Sequence, residues 1–166
     1  MQRVLVAAVF IFLGCAACRT VEKAPTDARV AEAQRAFDEG LRLQEELRHA
    51  EAVLLFQRAL ELREAAFGPH HPEVAAAIHG LADNYSLQGD YGRAVKLYEH
   101  ALSLREASLG KEHPDVAQSL NDLANRYMYE GNYERAEALH ARALAIRVRD
   151  AVHAGVTAAV LERRST

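Results

Sequence analysis

The chain has 166 residues, half of them hydrophobic, with only 7% aromatic and no tryptophan. Alanine, leucine and glutamate dominate, which favours an all-helical protein and argues against a β-sandwich, a fold that needs more Val, Ile, Thr and aromatic residues. A net charge of −3 on so apolar a chain rules out disorder by composition and offers no broad attraction for nucleic acid.

Arg3 is the only charge ahead of the apolar run 4–13, and Gly14-Cys15-Ala16-Ala17-Cys18 follows, all small. A positive start, an apolar stretch and a small-residue cleavage site mark residues 1–14 as an export signal peptide. The run to Cys18 is about 15 residues long, short of the ~20 a membrane-spanning helix needs.

Phe12-Leu13-Gly14-Cys15 resembles a bacterial lipobox. The resemblance implies cleavage before Cys15 and a diacylglyceryl group on its thiol, although the family prefers Leu where Phe12 stands. The alternatives are a signal peptide without lipid, or a Cys15–Cys18 disulfide. Ala16 is not the aspartate that retains such lipoproteins at the inner membrane, so the resemblance points to the outer membrane, facing the periplasm. Neither cysteine lies in the helical part, so no disulfide framework holds the fold. Residues 15–29 are polar from Arg19 onward and contain Pro25 without apolar periodicity. They are expected to form a tether.

A repeat governs the rest. Gly68-Pro69-His70-His71-Pro72-Glu73-Val74-Ala75 returns 42 residues later as Gly110-Lys111-Glu112-His113-Pro114-Asp115-Val116-Ala117. Between 50–91 and 92–133, 19 of the 42 positions are identical. Each period holds two helices. Ile78, Leu81, Ala82 and Tyr85 lie at i, i+3, i+4, i+7, and so do Ala94, Leu97, Tyr98 and Ala101. Gly89-Asp90 is the turn between them. Gly110 suits a helix C-terminus, Pro114 a first helical position, and Asp115 the positive end of the helix dipole.

The alanines at 82, 94 and 101, with Tyr85, resemble the tetratricopeptide repeat, and the 42-residue spacing with its G-x-x-H-P loop is similar to the kinesin-light-chain type. The resemblance implies a right-handed, all-α solenoid of three helix pairs over residues 30–150, with units near 33–66, 75–108 and 117–150. Small residues recur where helices cross: Gly40, Ala82 and Ala124; Ala52, Ala94 and Ala136; Ala59, Ala101 and Ala143. The third unit has His140 where the others have Phe56 and Tyr98. The first unit departs too, with Leu47 for the turn glycine and Leu43 for the tyrosine. Residues 151–166 are expected to form a short capping helix, because the exposed end of a repeat stack needs one.

Catalytic and cofactor chemistry lacks support. No H-E-x-x-H, Cys/His quartet, EF-hand loop, P-loop, G-x-G-x-x-G or G-x-S-x-G occurs, so no enzyme activity, metal or cofactor is expected. His71 and His113 precede prolines and are expected to hydrogen-bond helix starts. Arg63/Glu64 and Arg105/Glu106 read as solvated surface pairs.

In the resembling family the first helices line a groove for a peptide or partner helix. Register places Gln34, Phe37, Leu41 and Gln44 there from the first unit. The second unit gives Ala76, His79, Asp83, Ser86 and Leu87, and the third gives Gln118, Asn121, Asn125, Met128 and Tyr129. Chaperone-binding members grip a C-terminal carboxylate with Lys and Arg; here the matching positions are Phe37, His79, Asn121, Leu41, Asp83 and Asn125. A neutral or weakly basic segment suits Asp83 better. The expected function is a membrane-anchored scaffold binding a protein in this groove. The alternative is a subunit of an envelope complex that associates through its stack ends, including with copies of itself.

Overall fold

The computed structural model describes the backbone of residues 16–164 and the side chains of 27–154. Among the described residues there are six helices and no strand: α1 (Ala16–Glu45), α2 (His49–Phe67), α3 (Pro72–Leu87), α4 (Tyr91–Leu109), α5 (Pro114–Tyr129) and α6 (Tyr133–Arg164). They pack as the pairs α1/α2, α3/α4 and α5/α6, and each pair stacks on the next. The result is the all-α solenoid expected from the repeat.

Local chemistry sets the helix ends. His71 and His113 are N-caps whose Nδ1 atoms accept the backbone N–H of Glu73 and Asp115, each at 3.2 Å. Pro72 and Pro114 follow at the first helical position, where a missing N–H costs nothing. Asp90 and Asn132, one period apart, cap α4 and α6 by accepting from Arg93 N–H and Arg135 N–H. The turns after α3 and α5 place Gly89 and Gly131 at positive φ. Leu47 fills the same position after α1 at φ 62°, the only non-glycine with positive φ among the described residues.

The core runs between the two helices of each pair and between successive pairs. Ala52, Ala59, Ala82, Ala94, Ala101, Ala124 and Ala143 are wholly buried, which allows close crossings. Phe56, also fully buried, lies between two glycines. A Cβ on Gly40 would come within 3.2 Å of its ring, and one on Gly80 within 2.5 Å.

Three expectations are corrected. Helix α1 reaches back to Ala16, so 16–29 is helical and not an irregular tether. Ala, Arg, Glu and Lys make up more than half of that stretch, and extending a formed helix costs far less than nucleating one, although Pro25 removes one backbone donor from it. The segment beyond Asp150 is not a separate capping helix. It continues α6 to Arg164, because Val152 stands where Gly68 and Gly110 stop α2 and α4. Arg63 is not a solvated surface residue but 2% exposed, and Arg105 is half-buried. Each guanidinium finds polar partners inside the stack, so its long apolar stem can be buried with it.

Candidate concave binding surface

Helices α1, α3 and α5, the first of each pair, are linked side by side by polar side chains. Asn84 on α3 donates to Gln44 Oε1 on α1 at 3.0 Å and to the Gly80 carbonyl at 2.9 Å. Arg126 on α5 donates to the Ser86 hydroxyl on α3. His79 Nε2 on α3 lies 3.3 Å from Asp122 of α5 and 3.7 Å from Asp83. Asp83 accepts the Tyr98 hydroxyl, and the Gln118 amide donates to both Asp122 oxygens at 3.0 and 3.1 Å. The His79 and Tyr98 rings meet edge to face, 5.3 Å between centroids.

This cluster separates two carboxylates of the same type. Burial raises the Asp83 carboxyl above its ordinary range, and the His79 charge and Tyr98 hydrogen bond only partly offset that. Burial also acts to raise Asp122, but the hydrogen bond and charge of His79, then Gln118 and Arg105, outweigh it and hold the group low. Burial, then the negative charge of Asp83, raises the Tyr98 hydroxyl, which therefore stays a donor.

A row of arginines, one per period, supports the surface from behind. Arg63 stacks its guanidinium 4.1 Å over the Phe37 ring, donates to the Glu73 carbonyl at 2.9 Å and pairs with the Glu73 carboxylate at 3.0 Å. Arg105 donates to the Ser119 hydroxyl. Arg147 donates to Gln118 at 3.2 Å. With its amide nitrogen turned toward His140 Nδ1, 3.1 Å away, Asn121 accepts from Arg147 at 2.8 and 3.1 Å.

The residues assigned to the groove by register fall into two groups. Gln34, Leu41, Leu87, Gln118, Asn125, Met128 and Tyr129 are exposed. Phe37, Gln44, Ala76, His79, Asp83 and Asn121 are half-buried, and Ser86 is buried. Apart from Ala76, the second group already has partners: Phe37 packs edge-on against Phe56 at 5.3 Å, and the others belong to the hydrogen-bonded links above. Asn125, Met128 and Tyr129 come together with Arg126 and Tyr133 around a depression of about 450 Å³. Arg126 lies 4.8 Å over the Tyr129 ring.

Reading by register missed Asn84, Asp122, Arg126 and the three arginines. The arginines did carry a signal, since Arg63, Arg105 and Arg147 are 42 residues apart. Asn84, Asp122 and Arg126 carried none, because their counterparts one period away are of a different kind. Cys15, the expected lipid site, and the signal peptide lie outside the described residues. Among those residues no helix is long and apolar enough to cross a membrane.

The sequence profile described as tetratricopeptide repeat matches residues 43–107 and 88–147. Comparison with curated proteins finds no match. Among solved structures, the chain is similar to the nearly identical TPR-like repeats of a putative kinesin light chain from Podosopora anserina, both as such and as a single-residue variant. Each is 26% identical with a TM-score of 0.65, over 73% of this chain and 57% of that one. The chain thus spans little more than half the length of that relative. The TPR domain of Arabidopsis FLU shares the fold at 20% identity and a TM-score of 0.64, over 74% of this chain and 98% of that domain.

Proposed function

The chain belongs to the tetratricopeptide repeat family, and is in that sense a protein–protein interaction scaffold; from this premise we propose that it binds an extended peptide or partner helix along α1, α3 and α5. The observation that carries the reading is the division of that surface into two layers. The half-buried layer is tied up internally by Gln44–Asn84, Ser86–Arg126 and His79–Asp122. Such links hold the three helices in place before a partner arrives, so little ordering entropy is spent on binding. The exposed residues Leu41, Asn125, Met128 and Tyr129 are left to make contact, while Gln34 and Gln118, though exposed, are already bonded to Asp38 and Arg63 and to Asp122 and Arg147.

The chemistry of the exposed layer suits a segment read mainly by its backbone. The Asn125 amide both donates and accepts, so it pairs with peptide groups of any sequence. Met128 and Tyr129 add adaptable apolar area at the Asn125 end. The positions where chaperone-binding relatives carry cations are neutral or acidic here, which disfavours a ligand defined by its C-terminal carboxylate.

We further propose that the scaffold is exported and lipid-anchored through Cys15, at the outer membrane of an envelope. The reading rests on the lipobox resemblance at 12–15 and on Ala16. An anchor of this kind raises local concentration without adding contacts.

One experiment tests both parts. Full-length protein is crosslinked in the native host and recovered from the membrane fraction beside an Asn125→Ala/Tyr129→Ala variant. Mass spectrometry reads the captured proteins and the N-terminal peptide. A partner lost with the variant supports the groove, and one captured equally by both excludes it. A diacylated Cys15 supports the anchor, and an unmodified N-terminal peptide excludes it.

A further inference from the structure

The two ends of the stack are built differently. At each internal junction, three aliphatic residues of the incoming helix face the preceding pair. At the first junction these are Val74, Ile78 and Leu81: Leu60 packs on the cluster of Val74 and Ile78, and Leu81 packs with Val53 and Phe56. At the second they are Val116, Leu120 and Leu123: Leu102 packs on the first two, and Leu123 packs with Val95 and Tyr98. One period before Val74, Ile78 and Leu81 stand Glu32, Ala36 and Glu39. The outer face of α1 is therefore polar, and ion pairs hold it: Glu32 with Arg58 at 2.8 Å, and Glu39 with Arg42. That end is closed to stacking.

The other end keeps part of the receiving chemistry, without an incoming helix among the described residues: Leu144 repeats Leu60 and Leu102, while Glu137 and His140 stand one period after Val95 and Tyr98. Leu144, one period after Leu60 and Leu102, is 62% exposed, and Val148 is 53% exposed. Met128, Tyr133, Glu137, His140, Ala141 and Leu144 border an open depression of about 460 Å³. At the first junction Arg63 reaches forward to Glu73 in the first turn of α3. Its counterpart Arg147 turns back to Gln118. The face is open because α6 runs straight on where α2 and α4 stop at glycine.

We propose that this end of the stack docks an amphipathic helix of a partner chain, of the same pattern as the two helices already received inside the molecule. The helix carries aliphatic residues at i and i+4 and an acid immediately before the first. Glu73-Val74…Ile78…Leu81 and Asp115-Val116…Leu120…Leu123 are the two internal templates. The surface continues the internal junctions at Leu144 and Arg147, so their complementarity specifies the acid and the first two aliphatic residues, while Glu137 and His140 face the i+7 position, where a polar or basic residue fits. The leading acid serves Arg147 as Glu73 serves Arg63. A head-to-tail second copy does not fit, because its α1 would present Glu32 to Leu144 and Glu39 to Glu137.

The test uses the full chain and a lactam-stapled, fluorescein-labelled peptide of sequence 114–129, shown by circular dichroism to be helical. Anisotropy is expected to show saturable binding, weakened at least tenfold by Leu144→Asp in the protein or by a peptide with Leu120→Asp. Leu54→Ala and Lys96→Ala, exposed on α2 and α4, are expected to change it less than twofold. Leu144 is exposed, so its replacement leaves the fold intact, which the protein's own helicity checks. Absence of saturable binding overturns the proposal, as does binding that survives Leu144→Asp. A dimer in sedimentation that becomes a monomer with Leu144→Asp also overturns it, by making a second copy the occupant.

Discussion

Leu47 shows how a single residue departs from the repeat and what that costs. It holds φ 62° in the turn where Gly89 and Gly131 sit, and its side chain is 77% exposed. A Cβ in the left-handed region is disfavoured by about 1–2 kcal/mol, while glycine carries an unfolded-state penalty of roughly 0.4–1 kcal/mol. Leu47→Gly removes almost no packing. It is therefore expected to stabilise the protein by roughly 0.5–1 kcal/mol, read as a higher midpoint in urea. Asp83 and Asp122 supply the pH-dependent counterpart. The Asp122 carboxyl is lower than in the unfolded chain, so its contribution is present above the unfolded value and fades as pH falls through the folded one. The Asp83 carboxyl is raised, so its contribution is complete below the unfolded value and is lost as pH rises through the folded one. Asp122→Asn is thus expected to destabilise at pH 7 and to lose its effect in acid. Asp83→Asn is expected to be neutral or stabilising at pH 7, since Tyr98 can donate to the new amide oxygen. Urea unfolding of both variants across that pH range checks the opposite signs.

At the scale of helices, the fold was legible wherever the chemistry repeated. His71 and His113 capped the helices their prolines open, and the alanines at 82, 94 and 101 were buried at crossings as their spacing implied. What stayed hidden depended on contacts between units that differ. Gly80 is an example: one period later stands Asp122, and nothing in the text marks the glycine. Only the packed structure shows the Phe56 ring 2.5 Å from where its Cβ would lie. Gly80→Ala is expected to destabilise by about 1–3 kcal/mol through overpacking, despite alanine's better helix propensity. Phe56→Leu in the same chain should recover part of that loss, measured as non-additivity in a double-mutant cycle. The ends of α1 and α6 were misread for a related reason. Local sequence marks where a helix can stop, but Pro25 and Gly155 lie inside α1 and α6, which run through them.

For the whole molecule, three pairs form one surface because polar links cross between α1, α3 and α5. Register assigns positions to that surface, but it does not show which of them are already occupied. Asp83 and Ser86 looked like contact residues, yet they accept hydrogen bonds from Tyr98 and Arg126. Their partners come from α4 and α5, and no one-dimensional spacing brings those together. The exposed remainder, concentrated at Asn125, Met128 and Tyr129, is where the concave reading requires a partner to touch.

The most direct test places a photo-crosslinking amino acid at Asn125 in the full-length protein in its native host, and in a second strain at Lys96 on the exposed side of α4. The concave account predicts a discrete adduct from position 125, absent from position 96. With Met128→Ala and Tyr129→Ala added, that adduct should fall by roughly tenfold, as expected for the loss of two apolar contacts worth ~1.4 kcal/mol together. An adduct formed equally from both positions, or from position 96 alone, would contradict the account.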